Sequence, residues 1–153
     1  MERKRENNMS KKLISCLFIY IFMVGCEPGD IFGTDVCTSD CYLNMGASSL
    51  EMDGNGYYHM AFIPQYSQTF TTLDAYTGIE YQKLGWISNK EIYLHGEWIN
   101  LVNPSSYTDS EGIGHSVLAV WEEFVGDTVT VYGGYTDECN IHHYDSLMVI
   151  IKE

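Results

Sequence analysis

The chain has 153 residues, with 21 acidic against eight basic side chains and a formal net charge of −13 at pH 7. Five of the eight Lys and Arg precede residue 13, so the part beyond Cys26 holds only Lys83, Lys90 and Lys152 against 19 Asp and Glu, a net charge of −16. A surface of that sign repels phosphate backbones and anionic lipid head groups, which argues against nucleic-acid binding; the acidity itself serves solubility.

The chain opens on a charged stretch, Met1 to Met9, with Arg3, Lys4 and Arg5; Met9-Ser10-Lys11-Lys12 is itself a natural start for a secretory signal. Leu13 to Val24 follows as a run of twelve apolar or small residues. A membrane span needs ~20 residues, so this run suits the hydrophobic region of a signal peptide instead. It ends in Met23-Val24-Gly25-Cys26. That tetrapeptide resembles the lipobox of bacterial lipoproteins, with Met23 standing where the family prefers Leu. The resemblance implies cleavage before Cys26, a lipid on its sulfur, and anchoring to a membrane through two or more acyl chains. It also implies a place in the cell envelope, and Glu27 rather than Asp after the cysteine suits an outer membrane where the cell has one. The domain plan is then a signal peptide over 1–25, a lipidated tether over 26–45 and a folded domain over 46–153.

The tether, from Glu27-Pro28-Gly29-Asp30 onward, is rich in Gly, Pro, Asp, Ser and Thr with no sustained period. No internal repeat or low-complexity tract is visible. Beyond it the pattern is that of strands, predicted over 57–63, 68–73, 79–87, 91–95, 97–102, 115–125, 127–135 and 144–152. These runs are short, β-branched and aromatic, and separated by turn residues such as Thr77-Gly78, Ser88-Asn89-Lys90 and Asn103-Pro104. Val117, Ala119 and Trp121 alternate, and so do Val129 and Val131, which predicts a hairpin across Val125-Gly126-Asp127. Leu147 to Ile151 is apolar on both faces and belongs in a central or covered position. About eight short strands make an all-β, antiparallel β-sandwich. The stretch from Gly126 to Tyr132 and the placing of Trp86 resemble immunoglobulin-like domains, without their inter-sheet cysteine pair.

Cys37, Cys41 and Cys139 remain after the signal and the lipidated Cys26, an odd number for an oxidising compartment. The preferred reading is one disulfide plus a spare thiol, with Cys41–Cys139 chosen over Cys37–Cys139 because Cys41 borders the ordered region. The competing reading is zinc held by Cys37, Cys41, Cys139 and His142, whose donor types that metal accepts. The disulfide reading predicts no metal or other cofactor. Glu51-Met52-Asp53-Gly54-Asn55-Gly56 resembles the opening of a calcium loop, but Phe62 stands where the bidentate Glu belongs, so a turn is expected. No catalytic residues are assigned: Ser116 follows His115 directly, and Glu122 and Glu123 are adjacent, so neither pair converges on one side of a strand.

Twelve Tyr, six Phe and three Trp are many for such a domain. Tyr107, Tyr132, Tyr135 and Tyr144 fall in or beside loops, where rigid aromatic area suits contact with a protein or a glycan. The sequence therefore predicts a binding or structural module tethered to the envelope, with a hydrolase of envelope polymers, built from loop carboxylates and His, as the alternative.

Overall fold

The computed structural model describes residues 41–153, which form eleven strands and one short 3₁₀ helix. The strands are β1 (Asn44–Gly46), β2 (Glu51–Met52), β3 (Tyr57–Ala61), β4 (Thr69–Tyr76), β5 (Lys83–Ser88), β6 (Glu91–Leu94), β7 (Glu97–Asn100), β8 (Ser105–Tyr107), β9 (Ile113–Val120), β10 (Thr128–Thr136) and β11 (His142–Lys152). They build a three-stranded sheet in the order β1-β4-β9, a six-stranded sheet in the order β2-β3-β11-β10-β5-β8, and a separate β6-β7 hairpin. Every pairing is antiparallel except β3 with β11, which run parallel. The all-β class and the sandwich-like layering expected from the sequence are present.

Period-two alternation generates the core. Thr71, Leu73 and Ala75 on β4 and Leu118 and Val120 on β9 point inward from the smaller sheet. Leu84 and Trp86 on β5, Val129 and Val131 on β10, and Leu147, Val149 and Ile151 on β11 point inward from the larger. Burying each Val, Leu or Ile stabilises the fold by roughly 1.5–3 kcal/mol. The layers meet closely where glycines remove side chains: a Cβ on Gly133 of β10 would lie 2.9 Å from Met45 Sδ, and one on Gly114 of β9 would overlap Leu84 Cδ1. Trp86 is buried with its indole N–H donating to Ser106 Oγ at 2.9 Å, so its burial leaves no polar group unpaired.

β11 lies between β3 and β10, as its two apolar faces require. The predicted hairpin between 117–121 and 129–131 does not form. β9 pairs with β4, β10 pairs with β5 and β11, and the two strands belong to different sheets. The 3₁₀ turn Glu122–Phe124 carries the chain across, anchored by the buried Phe124. Gly126 at φ 89° and the Gly126 N–H donating to Ile151 O complete the crossing. The phase of β9 also differs from expectation: Leu118 and Val120 face the core, while Val117, Ala119 and Trp121 are half-buried. Both faces of that strand are apolar, so alternation alone could not tell them apart. The fold also begins earlier than residue 46. Met45 is buried in β1, and Leu43 and Cys41 pack against the core, so the end of the composition-defined tether is part of the domain.

Candidate functional site

One turn occurs three times among the described residues. Asp53-Gly-Asn-Gly56-Tyr57-Tyr-His59, Asp109-Ser-Glu-Gly112-Ile113-Gly-His115 and Asp137-Glu-Cys-Asn140-Ile141-His-His143 share the spacing Asp-x-x-Gly/Asn-x-x-His. In each, the fourth residue has positive φ: 86° at Gly56, 76° at Gly112 and 65° at Asn140. Each Asp carboxylate accepts two backbone N–H groups at 2.8–3.0 Å, from Asn55 and Tyr57, from Glu111 and Ile113, and from Cys139 and Ile141. These bonds, that from Tyr57 foremost for Asp53 and that from Ile113 for Asp109, hold both carboxyls below the ordinary carboxylate range. The Asp53 segment is thus a turn, as expected, with its carboxylate committed to the backbone. The sequence reading missed the repetition because only Asp, the positive-φ residue and His recur.

The histidines end differently. His59 Nε2 meets Asp53 Oδ2 at 3.1 Å, and its buried Nδ1 has no hydrogen-bond partner among the described residues. His115 turns away from its own turn to Asp74 Oδ1, at 2.8 Å. His143 Nε2 lies 2.8 Å from Asp137 Oδ2.

Only the third turn gathers further chemistry. Cys41, just before β1, brings its thiol to Asp137 and His143, with one donor atom from each of the three within 4.8 Å of the others. The Asp137 side chain is 2 % exposed and that of His143 14 %. Tyr135 stacks on His143 with ring centroids 4.9 Å apart, and its hydroxyl donates to Tyr42 O at 3.2 Å. Burial first, and then the Cys41 thiol beside it, push the Tyr135 hydroxyl pKa up to about 12.

This geometry corrects several sequence-based assignments. Cys41 carries a free thiol, so the Cys41–Cys139 bond is not formed, although the neighbourhood that motivated it is present. Cys139 is disulfide-bonded, and the competing Cys37 assignment lies outside the described residues, as does Cys26. Of the four residues considered for zinc, Cys41 faces His143 rather than His142. Neighbours on a strand point to opposite sides, and His142 is exposed, its Nδ1 bonded to Thr136 Oγ1 at 2.8 Å. Tyr135 is buried and offers no surface contact. Ser116 is buried while His115 is exposed, so that pair does not converge.

The other three tyrosines are exposed and share the outward face of the six-stranded sheet. Tyr132 on β10 pairs with Ile87 on β5 and Ser146 on β11, and Gly134 pairs with Gly85 and Tyr144. Tyr107 on β8 pairs with Lys83, two residues from Gly85. Cross-strand partners lie on the same side, so Tyr107, Tyr132, Tyr144 and Ile87 surround a floor without side chains at Gly85 and Gly134. Tyr144 is 83 % exposed.

No family model matches the chain, and no curated protein matches it. Among solved structures, Spo0M, the sporulation control protein from Bacillus subtilis, is similar at 11% identity and a TM-score of 0.31, over 74% of this chain and 49% of Spo0M. The chain therefore spans about half the length of that protein.

Proposed function

We propose that this chain is a lipid-anchored module of the bacterial cell envelope that binds a protein or glycan through the outward face of its six-stranded sheet. The observation that carries the reading is the exposed tyrosine surface, in which Tyr107, Tyr132 and Tyr144 flank the Gly85–Gly134 floor. Tyrosines give rigid, amphipathic contact area at small entropic cost, and a backbone floor lets a ligand lie close to the sheet. The lipobox-like Met23-Val24-Gly25-Cys26 supports the anchoring, with attachment at Cys26. An immunoglobulin-like variant of the sandwich is supported by Trp86, buried on β5 beside β10.

Two measurements test this reading. Cys26→Ser should abolish metabolic labelling by a fatty acid; equal labelling of variant and wild type defeats the anchor. The triple variant Tyr107→Ala/Tyr132→Ala/Tyr144→Ala removes only exposed side chains and should fold, while losing the envelope components that the wild type retains in a pull-down. Unchanged capture would place binding elsewhere.

A hydrolase of envelope polymers is the second reading, favoured by the Asp137–His143 pair beside the Cys41 thiol. It requires turnover of envelope polymers that His143→Ala removes.

A further inference from the structure

We infer that Cys41, His143 and Asp137 form a binding site for a single divalent cation of the zinc type. The three side chains come from opposite ends of the domain sequence, Cys41 from the segment leading into β1 and the other two from the hairpin joining β10 to β11. Their donor atoms nevertheless lie within 4.8 Å of one another. Around a tetrahedral zinc with bonds of about 2.0–2.3 Å, donors sit ~3.3–3.8 Å apart, so the Asp137 Oδ2–His143 Nε2 pair, now hydrogen-bonded at 2.8 Å, opens slightly to admit the ion beside the Cys41 sulfur. Thiolate with imidazole selects borderline metals and disfavours magnesium and calcium, which prefer oxygen donors alone.

The surroundings hold the donors in place. Asp137 Oδ1 is fixed by the N–H groups of Cys139 and Ile141, and the His143 ring is held against Tyr135. Cys41 and His143 are half-buried, so the site is shielded yet reachable from solvent. On binding, the thiol proton leaves to water as the metal–sulfur bond forms, the proton that His143 shares with Asp137 passes to the other ring nitrogen or to water as the metal replaces that hydrogen bond, and no oxidant or reductant takes part. Three protein donors leave a fourth position for water or an incoming ligand. The site lies on the opposite side of the sheet from the tyrosine face, because His143 and Tyr144 alternate along β11.

The test is titration of the full chain, under conditions that leave its disulfide intact, with Co²⁺ and then Zn²⁺. Cobalt should give a thiolate charge-transfer band that saturates at one equivalent attributable to Cys41, and zinc should bleach it. Cys41→Ser should abolish that band and His143→Ala should weaken binding by tenfold or more, whereas His142→Ala should leave it unchanged. Because Asp137 also shapes its hairpin, Cys41→Ser is the deciding variant, with its far-ultraviolet circular dichroism checked against wild type. Zinc should in addition slow alkylation of Cys41 by iodoacetamide severalfold. A band that survives in Cys41→Ser, no band in the wild type, or an alkylation rate indifferent to zinc would each overturn the proposal.

Discussion

At Asp74 a buried carboxylate on β4 joins three parts of the domain. It accepts Ser48 Oγ at 2.6 Å, the Ser48 N–H at 3.3 Å and His115 Nδ1 at 2.8 Å. Burial alone would raise its pKa, but these hydrogen bonds, led by those from Ser48 Oγ and His115, outweigh it and bring the group below its ordinary 3.8. A carboxyl with a lower pKa folded than unfolded contributes stability that is complete above the unfolded value and lost as pH falls through the folded one. Asp74→Asn should therefore cost about 1–3 kcal/mol at neutral pH and flatten the loss of stability below pH 3.8, as read by urea denaturation across pH. Two glycines make a second comparison. Gly112 and Gly126 both have positive φ, but a Cβ on Gly112 would lie 2.7 Å from backbone atoms of Gly78 and Ile79, while one on Gly126 meets nothing within 4 Å. Gly126→Ala should cost only the left-handed penalty of about 1–2 kcal/mol. Gly112→Ala should cost that plus roughly 1–3 kcal/mol of overpacking, visible as a lower melting temperature than Gly126→Ala.

The repeated turn is the element whose chemistry was least visible beforehand. Each copy places an Asp at the first position of a turn and a residue tolerant of positive φ at the fourth, which returns the chain in register. Asp53→Ala and Asp109→Ala should each lower the melting temperature at pH 7. Each variant should also melt closer to wild type at pH 3, where the native carboxylates begin to protonate; a gap that widens on acidification would contradict the role assigned to the charge. Strand existence was legible because β-branched runs and turn residues alternate clearly, as at β5, β6 and β10. β8 was not, since Ser105–Tyr107 is three residues long and is held by pairing with β5 and the Ser106–Trp86 bond. The β9–β10 crossing was hidden too, because Val125-Gly126-Asp127 reads as a hairpin turn unless Phe124 is known to be buried. At the Cys41 cluster the ligand types were legible but their selection was not: choosing His143 over His142 requires the phase of β11, which Tyr135 and Asp137 set through tertiary contacts.

Across the described domain, stability rests on one core shared by two layers. Leu118, fully buried on β9, is well placed to report it: Leu118→Ala should destabilise the domain by about 2–5 kcal/mol in chemical denaturation, and a loss under 1 kcal/mol would mean that the layers do not share that core. The position of β11 bears on when this core can form. It is the last strand along the chain, yet it is the link between β3 and β10, and β3 otherwise pairs only with the two-residue β2. Its parallel partner lies about ninety residues earlier, so the pairing closes a long loop and forms slowly. A nascent chain that has not yet released β11 lacks the centre of its larger sheet and remains extensible. The larger sheet becomes rigid only once that final strand has taken its place between β3 and β10.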